Sequence, residues 1–180
     1  MARLQTQYND EIVQAMLEEH NLGNRMAVPR LMKITISMGV GKANELPKLI
    51  ESASNDLTTI AGQKSVLTRA KKSVSNFRLR EGYVVGCMVT LRGARMYEFL
   101  DRLVSIVIPR IRDFRGLKTK SFDQAGNFSM GLSDQLVFPE IQTDRVDNQQ
   151  GMNITMTIRN SDPDRSLDLL RRLGMPFKRD

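Results

Sequence analysis

The amino-acid sequence predicts an α+β fold in which helices cover one face of an antiparallel sheet of the split-βαβ type. Three stretches alternate apolar and polar residues, as half-buried strands do, and three others repeat apolar residues at helical spacing. The order of these stretches fits helices packed on one side of a sheet. We therefore expect residues 1–180 to form one domain whose second sheet face is polar and open.

The first part of the chain predicts a helix, a strand and a second helix. Apolar residues recur at helical spacing over 4–16, alternate over 31–40 and return to helical spacing over 46–61. Pro47 suits the first turn of the second helix, and Gly62 is typical of a helix end.

The middle of the chain predicts two strands and a third helix. Residues 66–71 are the weaker strand prediction, and 83–92 the stronger, because its apolar residues alternate. A helix over 96–107 follows, and Pro109 is expected to end it because proline lacks an N–H donor.

The last part predicts a long loop, a strand and a helix. Residues 110–150 show no clear period, and we expect an extended, protruding loop there, a length usually tied to function unless the segment hides a hairpin. Gly126-Asn127 and Gly131 are candidate turn positions within it. Residues 152–159 alternate as a strand. The final helix has Asp162 as its N-cap and Gly174 as its stop.

The positive charge of the chain is concentrated in one short run. The net charge is +7, from 27 basic and 20 acidic residues. The run Gln63–Arg80 contains no acid and holds the basic residues Lys64, Arg69, Lys71, Lys72, Arg78 and Arg80. Such segregation makes a one-sided positive field that attracts a polyphosphate. The run therefore predicts a nucleic-acid partner.

The polar sides of the predicted strands could form the binding face. They carry hydroxyls, amides and cations that can bond ribose, phosphate and base edges of RNA. Threonine is also simply a good residue for the wet face of a strand, so the adjacent basic run is what favours RNA. The residues are Lys33, Thr35, Ser37, Thr90, Arg92, Asn153, Thr155, Thr157 and Arg159.

Phe77 lies between cations in the predicted loop after residue 71. Two interpretations are open: contact of the ring with RNA, or packing of the ring into the core.

Catalysis, metal binding and membrane insertion find little support. The only histidine, His20, lies at a polar helix end, where we expect solvent around it, and Cys87 lies on the apolar side of its strand. One histidine and one cysteine cannot build a usual zinc site, and we predict no cofactor. A single cysteine fits a reducing cytosol, and no apolar run reaches membrane-spanning length.

Four blocks of sequence give the chain a resemblance to a known family. They span nearly the whole length, and the last two are highly specific. They are Leu57–Lys64 (LTTIAGQK) with Lys71–Val74 (KKSV); Val89–Gly93 (VTLRG) with Met96; Pro109–Gly116 (PRIRDFRG); and Phe122-Asp123, Gly126-Asn127, Met130-Gly131 and Phe138–Ile141 (FPEI). In these blocks the chain resembles the fifth large-subunit ribosomal protein family. The closing Gly174–Phe177 is similar to the bacterial or organellar branch.

The resemblance implies a structural role in the ribosome of the cytoplasm. Family members hold 5S rRNA in the central protuberance, approach the tRNA in the peptidyl site, and bridge to a protein of the small-subunit head, the thirteenth small-subunit protein. Other large-subunit proteins and rRNA would be neighbours.

Carried over by position, the resemblance implies three sets of residues. The 5S rRNA contacts would be Lys33, Ser37, Gln63, Lys64, Thr90 and Arg92. The contacts with tRNA or phosphate would be Arg69, Lys71, Lys72, Phe77, Arg78 and Arg80. The bridge would use Arg110, Arg112, Asp113, Arg115, Asp144 and Asp147. A plainer alternative for the bridge arginines is that they neutralise neighbouring acids within the fold.

Two other functions compete with a structural RNA-binding protein. An RNA-processing enzyme or its subunit would need a catalytic constellation, which the sequence does not offer. A basic peripheral-membrane module would need an amphipathic basic helix, whereas the basic run is predicted as strand and loop.

Overall fold

The computed structural model describes residues 2–41, 47–142 and 149–178. Its strands are β1 (Arg30–Gly39), β2 (Val66–Arg69), β3 (Val84–Leu91), β4 (Phe128–Leu132) and β5 (Met152–Arg159). Its helices are α1 (3–19), α2 (Pro47–Ala61), α3 (93–110) and α4 (Pro163–Arg172). The middle of α1, Tyr8–Ile12, and a late part of α3, Leu103–Val107, are π-helical.

The five strands form one open antiparallel sheet in the order β2-β3-β1-β5-β4. Burial alternates along its strands: in β5 Ile154, Met156 and Ile158 are buried, whereas the residues between them are not. This period of two follows from the pleat, which sends successive side chains to opposite faces. The predicted α+β class is confirmed.

The chain divides into two compact units. The first comprises Met1–Ile34, Leu91–Met130 and Thr155–Asp180, and the second comprises Thr35–Thr90 and Gly131–Ile154. The first unit contains α1, α3 and α4, and its core includes Met16, Phe99 and Leu170. The second contains α2 and β2, and its core includes Leu57 and Ile60. The prediction of one domain over 1–180 stays a prediction.

The helix ends follow the sequence signals closely. The Asp162 carboxylate accepts a hydrogen bond from the Arg165 N–H at 2.9 Å, as an N-cap should, and Pro163 opens α4. Gly62 and Gly174 follow α2 and α4 with φ of +63° and +92°, the left-handed conformation that glycine adopts without strain.

Helix α3 runs three residues past the predicted range 96–107 and continues through Pro109. Arg110, rather than Pro109, is its last residue. Proline disrupts the hydrogen-bond ladder one turn before itself, and the π-helical stretch Leu103–Val107 lies there.

The segment 110–150 differs from the predicted loop, because part of it is regular structure. It contributes β4, and Phe128 and Phe138 within it are buried. A turn precedes β4, in which the Asp123 carboxylate accepts hydrogen bonds from the backbone of Ala125 and from the backbone and side chain of Asn127. The side-chain bond from Asn127 is the main reason why the pKa of Asp123 lies below its usual value. This part of the segment is therefore built into the fold.

Two residues that were considered for catalysis have structural surroundings. His20 is not simply solvated: its Nε2 lies 3.2 Å from Oδ2 of Asp168, and the pair is partly buried. Cys87 is buried, as expected, and desolvation raises the pKa of its thiol to about 11.

Candidate nucleic-acid interface

The second unit carries a polar strip on the exposed side of its strands. Ser37 in β1 and Thr90 in β3 are half-buried, whereas their chain neighbours Ile36, Met38 and Val89 are buried. The hydroxyls of Ser37 and Thr90 therefore belong to the side of the sheet that faces away from the core. The predicted polar face is present in this unit.

Gln63 extends this strip through a tertiary contact. Its side-chain Nε2 donates a hydrogen bond to the main-chain carbonyl of Thr90 at 3.3 Å. The contact forms because Gly62 turns the chain sharply after α2 and leads it towards β2. The structure thus brings together two of the predicted 5S contacts, and Lys64 beside them is exposed.

The first unit holds the other two residues of this predicted set. Lys33 is half-buried in β1. Arg92 is exposed and occupies the N-cap position of α3. Their role in RNA binding stays a prediction.

The basic loop, residues 71–80, is an ordered hairpin tip. The Val74 N–H donates to the Leu79 carbonyl at 2.9 Å, and the Leu79 N–H donates back to the Val74 carbonyl at 3.1 Å. Arg78 has φ of +50°, which reverses the chain at the tip. Phe77 is 79% exposed, so packing into the core is excluded. The tip presents an aromatic ring to solvent.

Ser73 is a supporting residue that the sequence analysis missed. Its hydroxyl accepts a hydrogen bond from the Glu81 N–H at 3.0 Å and so ties the base of the loop together. The only signal was a small polar residue before the turn, which is typical of such bonds but not specific to them.

The cations of the basic run are available to a partner. Lys64, Arg69, Lys71, Lys72, Arg78 and Arg80 are all exposed. Within residues 2–41, 47–142 and 149–178, none of them forms an ion pair with a carboxylate. Arg69 donates from Nη1 to the Gly82 carbonyl at 3.0 Å, which steadies its side chain without neutralising it. The run therefore keeps the positive field expected from the sequence.

The predicted bridge residues begin where α3 ends. Arg110 is the last residue of the helix, and Arg110, Arg112, Asp113 and Arg115 are exposed. Asp113 has φ of +54°, so the chain turns between the arginines. Asp144 and Asp147 lie outside the described residues.

Backbone hydrogen bonds with Pro176 and Lys178 fix the far end of this arginine segment. The Leu117 N–H donates to the Pro176 carbonyl at 2.9 Å, and the Lys178 N–H donates to the Leu117 carbonyl at 3.0 Å. Leu117 itself is buried. Arg112 and Arg115 therefore lie in a short segment that α3 fixes at one end and the paired residue Leu117 fixes at the other.

The plainer role for the arginines finds no support among the described residues. In that part of the chain, Arg110, Arg112 and Arg115 form no ion pair with an acid.

Two other kinds of site are missing from the described part of the chain. It contains no group of three or more histidine, cysteine, aspartate or glutamate residues placed to hold a metal ion. Nor is any helix there both long enough and apolar enough to cross a membrane.

Comparison with known proteins shows the family to which the chain belongs. The family profile described as ribosomal protein L5 matches residues 24–80, and the profile for the C-terminus of the same ribosomal family matches residues 84–177. The chain is 55% identical over 177 residues to the large ribosomal subunit protein uL5 of Clostridium beijerinckii, across 98% of this chain and 99% of that protein. It is 52% identical over 178 residues to uL5 of Psychrobacter arcticus, across 99% and 100% of the two chains. The chain therefore belongs to the bacterial branch of the L5 family of ribosomal proteins.

Proposed function

We propose that this protein is a structural component of the large ribosomal subunit that binds 5S rRNA and helps to attach it in the central protuberance. The observation that carries the proposal is the strip in which the Gln63 amide meets Thr90, beside Ser37 and the exposed Lys64. Amide and hydroxyl groups read RNA through hydrogen bonds, and the neighbouring cations attract its phosphates. Lys33 and Arg92 complete the proposed contact set.

The tip of the basic loop is proposed to contact the tRNA in the peptidyl site. Phe77 and Arg78 lie at the tip, with Lys71, Lys72 and Arg80 along its sides. An exposed aromatic ring can stack on a base or ribose while the cations neutralise phosphates. Two backbone hydrogen bonds between Val74 and Leu79 support this role, because a pre-ordered loop loses less entropy on binding.

The segment after α3 is proposed to form a bridge to a protein of the small-subunit head, the thirteenth small-subunit protein. Arg110, Arg112 and Arg115 are exposed there, and Asp144 and Asp147 supply the opposite charge later in the sequence. Rim charges tune encounter rate and salt dependence more than affinity, which suits a contact that must form and break. Other large-subunit proteins and rRNA would be the remaining neighbours.

The competing enzymatic function is set aside. The relatives are named as ribosomal proteins, which agrees with the expectation that the chain is not an enzyme. Family membership also agrees with the predicted location in the cytoplasmic ribosome.

The test is direct binding of the purified protein to a bacterial 5S rRNA transcript, with tRNA and a random RNA of equal length as competitors. We expect retention of intact 5S rRNA, resistance to the random competitor, and no binding to anionic vesicles. Large subunits rebuilt without the protein should also lose 5S rRNA during sedimentation. Binding that the random RNA displaces as readily as unlabelled 5S rRNA would contradict the proposal.

A further inference from the structure

The exposed side of β2 and β3 contains an apolar pair that the polar contacts above do not explain. Val66 is 64% exposed, and its partner across the two antiparallel strands is Met88, which is half-buried. Directly paired residues project from the same face of a sheet. Met88 alternates with the buried residues Cys87 and Val89. The pair therefore lies on the open face, together with Thr90.

Thr68 and Gly86 border this pair on the same face. Gly86 is buried, and a Cβ at that position would overlap the Met38 carbonyl oxygen, so only the Thr68 side chain stands beside the pair there. Val66 and Met88 thus form a short apolar strip bordered by a threonine.

Stability of the fold does not account for an exposed valine at this position. Strand β2 is at the edge of the sheet, where proteins usually place charged residues to prevent unwanted pairing. The charged residues nearest to Val66 in the sequence are both basic and exposed: Lys64 lies two residues before it and Arg69 three residues after it. An apolar strip set among cations fits a ligand that is both flat and negatively charged.

An unstacked base of an RNA loop has these properties. Its faces are apolar, its edges carry hydrogen-bonding groups, and it is joined to phosphates. We propose that Val66 and Met88 form a platform for one unstacked base, whose edge lies towards the Gln63 amide and the Thr90 hydroxyl. The platform would be part of the surface proposed to bind 5S rRNA, so this inference rests on that proposed function. A protein strand added to the β2 edge is the competing occupant, and it would have to meet the cations without gaining phosphate contacts.

The neighbouring residue Leu67 provides a matched control. It is 42% exposed in the same strand, but it pairs with buried Cys87 and therefore projects from the opposite face. Val66→Thr and Leu67→Thr each replace an exposed aliphatic side chain by a good strand residue. Binding of each variant to a 5S rRNA transcript would be measured by filter retention over a series of salt concentrations, with melting curves as the check on folding.

We expect Val66→Thr to weaken binding about 4- to 20-fold, because a hydroxyl replaces a methyl group that the base would bury, without changing the salt slope. Leu67→Thr should change affinity less than about twofold, within the range of ordinary surface substitutions. Met88→Thr should behave like Val66→Thr and provides a second variant if Val66→Thr melts early. Equal affinity of Val66→Thr and the wild type, or equal losses at Val66 and Leu67, overturns the platform.

Methyl NMR separates the two possible occupants. A base over the strip should shift the methyl signals of Val66 and Met88 upfield when 5S rRNA is added, and a fully paired RNA hairpin should not. If the wild type binds 5S rRNA while these signals and the Val66→Thr affinity stay unchanged, the platform is wrong and the edge is left for a protein strand. If the wild type does not bind 5S rRNA at all, the proposed function itself fails.

Discussion

The side chain of Gln63 reaches the main chain of Thr90, 27 residues later, with Nε2 lying 3.3 Å from the carbonyl oxygen. The bond uses the Thr90 backbone, so it survives any change of the Thr90 side chain. It leaves the Thr90 hydroxyl outside this contact, on the exposed side of β3. The two residues are therefore adjacent in space but separable by mutation.

From this geometry we predict that Gln63→Ala and Thr90→Ala each weaken 5S rRNA binding by about 1–3 kcal/mol, because each removes a hydrogen-bonding group from the interface. The double variant should bind more weakly than Gln63→Ala alone, since each substitution removes a different side-chain group and Thr90→Ala leaves the Gln63 side chain in place. Filter binding at a fixed salt concentration measures all three. A double variant no worse than Gln63→Ala alone would show that Thr90 acts only through its backbone.

The basic loop should contribute charge rather than recognition. Replacing Lys71 and Lys72 with alanine should change the salt dependence of 5S rRNA binding. The slope of log K against log salt should flatten by about 0.7–0.9 for each phosphate that the loop no longer neutralises. Melting should not change, because both side chains are exposed and the described residues offer them no ion pair. The exposed pair Lys118 and Lys120, changed in the same way, is the control with equal net charge. Equal salt slopes for the two double variants would show that the loop does not neutralise phosphates of 5S rRNA.

Phe77 allows a sharp comparison with a buried phenylalanine. Phe77 is 79% exposed, whereas Phe99 is 1% exposed. Phe77→Ala should leave the melting temperature and 5S affinity nearly unchanged while weakening retention of peptidyl-site tRNA. Phe99→Ala should instead cost about 3–5 kcal/mol of unfolding free energy, because it leaves a cavity in the core. A steep fall in the melting temperature of Phe77→Ala would rule out the tip assignment.

Cys87 should be chemically silent in the folded protein. Burial raises the pKa of its thiol from 9.0 to about 11, so the reactive thiolate is about a hundredfold scarcer at pH 8 than in an exposed cysteine. Iodoacetamide should therefore label the native chain slowly at pH 8 and the denatured chain at the rate of a free thiol. Mass spectrometry of timed samples measures both rates. Rapid labelling under native conditions would mean that β3 opens locally.

Elements with a local signal in the sequence could be predicted. The alternation over 152–159 predicted both ends of β5 correctly, and Asp162 caps α4 as expected. The missed strand β4 spans only five residues and includes Gly131, so it gave too short a pattern to recognise. It forms because it pairs within the sheet, which is a tertiary effect.

The site shows the same division. Charge density could be read directly from the run Gln63–Arg80, because no folding is needed to count lysines and arginines. The exposure of Phe77 could not, since a phenylalanine between cations has the same sequence pattern at a loop tip as in a core. The bond from Gln63 to Thr90 joins residues far apart in the chain, so only the fold reveals it.

The last prediction concerns the acids of the proposed bridge. Asp144 and Asp147 lie outside the described residues, and their role rests on the sequence. If they meet a basic protein of the small-subunit head, reversing both to lysine should leave 5S rRNA binding intact but slow subunit joining, most strongly at low salt, where charge steering is least screened. Stopped-flow light scattering of mutant large subunits mixed with wild-type small subunits measures the rate.

The matched control reverses Glu11 and Glu51, two exposed glutamates on α1 and α2, and so changes the net charge by the same amount. A general effect of charge would slow joining equally in both double variants, whereas a local bridge slows only the aspartate variant. An ion pair within the fold would contribute only about 0–1 kcal/mol, so that role would leave joining unchanged. Unchanged joining rates of the Asp144 and Asp147 variant at every salt concentration would therefore exclude these two acids from the bridge.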